Sequence, residues 1–223
     1  MTVGILYQLK HKIIGHAVEI YLKCCHVISN FFFYLPLGGQ TAFQNKVLKF
    51  AGLEAGDRVL DLCCGTGKLS DVIANQGIPV DVVGIDISGP TIEQAIKKVQ
   101  QLSVSFLKAS ASDLPLQSSR FDKCITCFGL HHIPENDRQK ALKEVYRTLV
   151  REGTVFIIDY NLPERGLRRL AAATFIRLDN RGEALKMLKS GKLVRQIEEA
   201  GFEIVERVLT YQGMVQLLKV AKR

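Results

Sequence analysis

The sequence predicts a doubly wound, Rossmann-like α/β fold: a mostly parallel sheet covered by helices, ending in an antiparallel hairpin and preceded by a helical extension. Three observations predict it. From Asp57 onward, short Val/Ile-rich runs alternate with longer stretches of helical periodicity, and apolar runs separated by helices mean a parallel sheet. The first run leads into a glycine-rich turn that opens a helix, DLCCGTGKLS from Asp61 to Ser70. The last two runs, EIVERVLTY and MVQLLKVAK, are parted only by Gln212-Gly213, which reads as a hairpin.

The elements follow in chain order. Residues 5 to 31 read as one helix, because Leu6, Leu9, Ile13, Ala17, Ile20, Cys24, Val27 and Phe31 recur at steps of three and four, opposite Gln8, Lys12, His16, Glu19, Lys23, His26 and Asn30. Lys10, Lys12, Glu19 and Lys23 exclude a membrane span, so the stripe packs on its own domain, the favoured reading, or lies on a membrane surface. Residues 1–45 are expected to form this helical extension and residues 46–223 the α/β domain. Strands are expected at 58–64, 80–87, 104–110, 121–128 and 153–160, where Val, Ile and Phe are concentrated. Helices are expected at 68–76, 89–101 and 135–150, the last opening at Pro134-Glu135, then over 164–190 and 191–200.

With 223 residues, 47% hydrophobic and 23% charged, the chain can bury a core without staples and is neither disordered nor of low complexity. Its net charge of +8 is uneven: five Lys/Arg face two Asp/Glu in residues 1–56, eleven face eleven in 57–150, and fourteen face nine in 151–223. Basic ends around a neutral middle suit an acidic surface such as a lipid headgroup layer better than a groove for nucleic acid; a solvated surface without a ligand is the plainer alternative. The six cysteines form close pairs, Cys24 and Cys25, Cys63 and Cys64, Cys124 and Cys127. Adjacent cysteines are poor disulfide partners and no secretory signal opens the sequence, so thiols and a cytoplasmic setting are expected. Cys124 and Cys127 sit in an apolar strand-like run, with no second such pair and no histidines at ligand spacing, so no metal site is expected.

The chemistry concentrates at the glycine-rich turn. Gly65 and Gly67 follow a strand and precede a helix, where the backbone admits close approach and helix N-terminal amides point at a ligand. Asp86 ends the second strand, nineteen residues after Gly67, at the distance of a carboxylate that accepts from both ribose hydroxyls. A tight turn with a solvated acid is the bland alternative. A dinucleotide fits poorly, since Ser70 replaces the third glycine of GxGxxG and Asp61 would stand beside a pyrophosphate. Too few residues separate the glycines for a Walker-type phosphate loop. The same carboxylate suits a ligand that carries an ammonium and a sulfonium, which is S-adenosylmethionine.

VLDLCCGTGKL, VVGIDIS, ASDLPL, FDKCITCFGLHHI and the hairpin ending resemble, in order and spacing over residues 46–223, the motifs of class I S-adenosylmethionine-dependent methyltransferases. Within that superfamily, CFGLHHI and AGFEIVERVLTYQGMVQLLKV are most similar to the ubiquinone/menaquinone-biosynthesis C-methyltransferases. The resemblance implies that Asp61, Cys63, Gly65 and Gly67 border the methionine part of the cofactor. Asp86 and Ile87 would hold the ribose and adenine, Ser112, Asp113 and Leu114 would border the adenine, and Phe128 would lie beside the methyl donor. Two departures stand out: Cys63 replaces the first glycine of the usual turn, and His131-His132 replaces the Arg-Asn usual after FGL in quinone methyltransferases.

Methyl transfer from a cationic sulfur needs alignment in a water-poor pocket more than covalent help from the protein. For a quinol ring carbon, removing a hydroxyl proton drives electron density onto that carbon, and His131 or His132 is the candidate base; packing at a helix start is the alternative role for each. The run NFFFYLPLGG, Asn30 to Gly39, is expected to fold over the cofactor as a lid, with Phe31 and Tyr34 lining an apolar acceptor pocket, although plain core packing explains its aromatics equally. The expected partner is a small, lipophilic acceptor, with peripheral membrane contact and no nucleic acid, because no Asn/Asp-Pro-Pro-aromatic stretch follows the fourth strand. Rival readings are a phospholipid or small-amine N-methyltransferase and a non-catalytic S-adenosylmethionine-binding subunit. Nothing in the sequence speaks to oligomeric state.

Overall fold

The structure, a computed structural model, describes residues 39–179 and 183–222. The chain divides into two compact units, Met1–Lys46 and Val47–Arg223. The helix expected over 5–31 and the aromatic run that follows it, apart from Gly39, lie outside the described residues. The first described helix, α1 (Gln40–Ala51), is not among the expected elements, although Phe43, Val47 and Ala51 at i, i+4 and i+8 mark its buried face.

The second unit is a seven-stranded sheet. Its strands are β1 (Arg58–Leu62), β2 (Asp81–Asp86), β3 (Val104–Lys108), β4 (Phe121–Cys127), β5 (Leu149–Tyr160), β6 (Phe202–Thr210) and β7 (Val215–Lys222). The order is β3-β2-β1-β4-β5-β7-β6, with β7 antiparallel to both β5 and β6 and every other pairing parallel. The expected mixed sheet is therefore present, with one refinement: β7 inserts between β5 and β6, so the antiparallel strand lies one place in from the edge. The further helices are α2 (Lys68–Ala74), α3 (Gly89–Lys98), α4 (Glu135–Thr148), α5 (Gly166–Asp179), α6 (Glu183–Lys189) and α7 (Lys192–Glu199).

Boundaries differ from expectation for local reasons. β1 stops at Leu62 because Cys63 turns to φ 61°, out of the extended region. Within the stretch expected as one helix over 164–190, the described residues form α5 and α6, and residues 180–182 between them lie outside the described residues. β5 begins four residues early, at Leu149, where its first residue pairs with Phe121 across a register shift. The core between sheet and helices holds Leu60, Leu62, Ile85, Phe121, Leu142, Val145, Ile157 and Leu218. The strand order reverses between β1 and β4, so the crevice outside their C-terminal ends is the topological switch point where such sheets bind ligands.

Candidate functional site

Asp61 lies in the central strand β1, between Gly84 of β2 and Ile125 of β4, and is 1% exposed. Ser70, on the first turn of α2, donates its hydroxyl to Asp61 Oδ2 at 2.5 Å. The residue at the third-glycine position is thus the partner of the buried acid. Burial pushes the Asp61 carboxyl up to about 6, against the opposing Ser70 hydrogen bonds, and nearby Asp86 adds to the rise. A buried acid held this high gains from a cation placed against it.

Beyond β1 the chain makes a crook. Cys63 and Phe128, at the ends of β1 and β4, both adopt left-handed backbone, φ 61° and 53°, which costs a non-glycine residue on the order of 1 to 2 kcal/mol. Gly129, next to Phe128, packs against the first of them: an added Cβ there would sit 2.5 Å from Cys63 Cβ and 2.9 Å from Thr126 Oγ1. The two loop glycines differ in purpose. A Cβ at Gly67 would collide with Phe106 at 2.7 Å, so that glycine lets α2 start against β3, whereas a Cβ at Gly65 would meet nothing within 4 Å. Gly65 is the glycine with an open side.

Asp86 holds the amide of that glycine. Its Oδ2 accepts from the Gly65 N–H at 3.0 Å and its Oδ1 from the Ser88 N–H at 2.9 Å. A carboxylate offers about four acceptor directions, so two remain for hydroxyl donors. The next residue, Ile87, is 70% exposed, an apolar side chain left in water beside the crook. Across from it, the turn with Ser112, Asp113 and Leu114 is pinned from α4. The Leu114 N–H donates to Glu144 Oε2 at 2.9 Å, and Arg147 donates to the Leu114 carbonyl at 3.0 Å while gripping the same glutamate at 2.7 Å. Ser112 Oγ lies 2.9 Å from Ser110 Oγ, and Asp113 is exposed.

The two predicted histidines part company in a 3-10 turn, Leu130–His132. His131 is 1% exposed and His132 faces out. His131 Nδ1 lies 2.6 Å from Asp159 Oδ1, and the His131 and Tyr160 N–H groups donate to the same carboxylate at 3.3 and 2.7 Å. A carboxylate accepts, so Nδ1 carries the ring proton and Nε2 is left as the basic nitrogen. The turn is fixed by a buried arginine: Arg138 donates to the carbonyls of Leu130 and Ile133 at 3.2 and 3.1 Å and to Gln196 Oε1 at 2.8 Å. Tyr160 packs its ring 4.8 Å from His131, 5.1 Å from Phe128 and 6.1 Å from Phe175.

The described cysteines are free thiols. Burial pushes Cys63 up to about 12, with Asp86, Asp61 and Asp159 adding to it, so it stays a neutral thiol and no nucleophile at physiological pH. No group of side chains that could hold a metal ion is present among the described residues.

The structure therefore brings Asp61, Cys63, Gly65, Asp86, Ile87, Phe128 and His131 to the ends of β1, β2 and β4, with the Ser112–Leu114 turn beside them. Phe31 and Tyr34 lie outside the described residues. Asp159 and Tyr160 were not anticipated. Their signal is an acid that interrupts the buried run FIIDY at the C-terminal end of β5. These residues fit S-adenosylmethionine: a buried acid in need of a cation, a second acid with free acceptor directions, and an open glycine between them.

A family model described as a methyltransferase domain matches residues 59–153. The demethylmenaquinone methyltransferase of Lactobacillus johnsonii is 33% identical over 149 residues, 65% of this chain and 60% of that protein. The 2-phytyl-1,4-naphtoquinone methyltransferase of Nostoc is 31% identical over 135 residues, 58% of each. The chain thus spans about three fifths of the length of those relatives. Among solved structures, a SAM-dependent methyltransferase from Aquifex aeolicus superposes with a TM-score of 0.64 at 23% identity, covering 81% of this chain and 89% of that one. Strand order and crook agree with these likenesses: the sheet has the fold of the methyltransferase structures, and residues 59–153 match a methyltransferase domain.

Proposed function

We propose that this protein transfers a methyl group to a ring carbon of a small lipophilic quinol. The observation that carries the reading is the buried pair His131–Asp159, 2.6 Å apart beneath the aromatic cluster of Tyr160, Phe128 and Phe175. The names of the relatives from Lactobacillus johnsonii and Nostoc, both methyltransferases of naphthoquinone type, support the same acceptor class.

The cofactor, when bound, supplies a methyl carbon on a positively charged sulfur. The chain's own residues do the rest. Asp61 takes the amino group of its methionine part, Asp86 takes ribose hydroxyls, and Ile87 and the Ser112–Leu114 turn flank the base. Asp159 holds the His131 ring with its proton on Nδ1, so that Nε2 accepts the proton of the acceptor's hydroxyl. Loss of that proton raises electron density on the ring carbon to be methylated. Phe128 and Tyr160 keep water from the reacting atoms.

The test is incubation with methyl-labelled S-adenosylmethionine and, in parallel, a reduced short-chain naphthoquinol, phosphatidylethanolamine and a cell lipid extract. Label on a quinol carbon supports the proposal. Label on an amine nitrogen moves the chain to the N-methyltransferase reading, and tight binding of S-adenosylhomocysteine without label anywhere leaves a binding subunit.

A further inference from the structure

Nearly all of the chain's net charge of +8 lies in one stretch: residues 165 to 195 hold nine Lys or Arg against two Asp or Glu, a net of +7. That stretch opens with α5, which has two unlike faces. Inward, Ala172 and Ile176 are buried and the Phe175 ring meets Tyr160 edge-on, on the aromatic cluster beside His131. Outward, Leu167 is 86% and Leu170 66% exposed, and Ala171, Thr174 and Arg177 share their face. Arg165 and Arg168 are exposed at the same end of the helix.

Single exposed leucines are ordinary, but a leucine pair at i and i+3 set among exposed arginines is the pattern of a helix that lies in a lipid interface. We propose that the outward face of α5 docks on an anionic bilayer, with Leu167 and Leu170 among the acyl chains and Arg165, Arg168 and Arg177 at the headgroup phosphates. Charge complementarity selects an anionic surface, and the leucines select lipid over a nucleic-acid backbone, which offers them no apolar partner. Since the inner face of the same helix lines the site, docking there brings the aromatic cluster to the lipid surface. That delivery of a lipid-borne acceptor rests on the quinol reading, whereas the docking itself does not. No helix among the described residues is long and apolar enough to cross a membrane.

Co-sedimentation of the full chain with vesicles of phosphatidylcholine, alone or with phosphatidylglycerol, tests this. Wild type should pellet with the anionic vesicles, less so in high salt, and not with phosphatidylcholine alone. Leu167→Ser with Leu170→Ser should cut the partition coefficient about tenfold or more. Arg165→Gln and Arg168→Gln should cut it about fivefold each. Calorimetric affinity for S-adenosylhomocysteine should be unchanged in all these variants, because their side chains are exposed and outside the crook. Equal binding to both vesicle types, binding to neither, variants that partition like wild type, or tighter retention on an RNA duplex than on anionic vesicles would each overturn the proposal. Docking without methylation of a tail-less naphthoquinol sinks the quinol reading alone, and methylation of that quinol without docking sinks the docking alone.

Discussion

Binding of S-adenosylhomocysteine is expected to release a proton below pH 6, and Asp61→Asn to abolish the release. The carboxyl sits near 6 in the ligand-free chain because its burial in β1 outweighs the Ser70 hydrogen bonds, which pull it down. The ammonium of the ligand requires the ionised form. An acid with a pKa of about 6 is roughly nine-tenths ionised at pH 7 and one-tenth at pH 5, so apparent affinity should fall about tenfold between them, ~1.4 kcal/mol. The ligand-free fold responds with the opposite sign. A folded pKa raised from 3.8 to about 6 gives a stability contribution complete below pH 4 and lost as pH rises through 6, up to about 3 kcal/mol. Asparagine carries no such cost, so Asp61→Asn should melt higher than wild type above pH 6 while weakening the ligand by about 2 to 5 kcal/mol. Calorimetry from pH 5 to 8 in two buffers of different ionisation enthalpy, with melts at the same pH values, reads all of these quantities. Wild-type affinity that is flat across that range, or an asparagine variant that binds equally well, would refute the reasoning.

Three further outcomes follow from the same geometry. Asp86→Ala should weaken S-adenosylhomocysteine by about 1 to 3 kcal/mol, measured by calorimetry, because ribose hydroxyls lose their acceptor and the Gly65 and Ser88 amides lose theirs. Asp159→Asn should lower kcat by about 100-fold or more with little change in KM for the methyl donor, and 15N NMR should show His131 protonated on Nδ1 in wild type but not in the variant; an unchanged tautomer contradicts the positioning role. Gly129→Ala should destabilise by about 1 to 3 kcal/mol in denaturant melts, since its Cβ would stand 2.5 Å from that of Cys63, and by markedly less in a Cys63→Gly background. Additive costs would show that the two residues do not press on each other.

The centre of the sheet was legible because β1, β2 and the second half of β5 are buried on both faces and so read as apolar runs, from RVLDL to TVFIID. The crook was legible for a related reason: glycines, a buried acid and an acid at the next strand end are each costly elsewhere, and they recur at fixed spacing. What escaped notice was subtler. The stripe of α1 is only three small or apolar positions wide, Phe43, Val47 and Ala51, on a helix with several amides and lysines, and its periodicity is faint. Asp159 escaped because an acid at the end of a strand looks like a solvent-facing terminus in sequence, whereas the 3-10 turn after β4 folds His131 over it and buries both. That contact joins residues 28 apart and depends on β4 and β5 being neighbours, which no local pattern encodes. The charge excess of the last third was visible, but the placing of exposed arginines beside two exposed leucines on α5 emerges only when the helix has a face.

A crystal structure of the full chain grown with saturating S-adenosylhomocysteine tests the central claim most directly. The account predicts the ribose hydroxyls on the Asp86 carboxylate, the amino group on Asp61 and the thioether sulfur beside Phe128 and the His131 ring. A nucleoside bound anywhere else, or a crook between Gly65 and Asp86 left without ligand at that concentration, would contradict it.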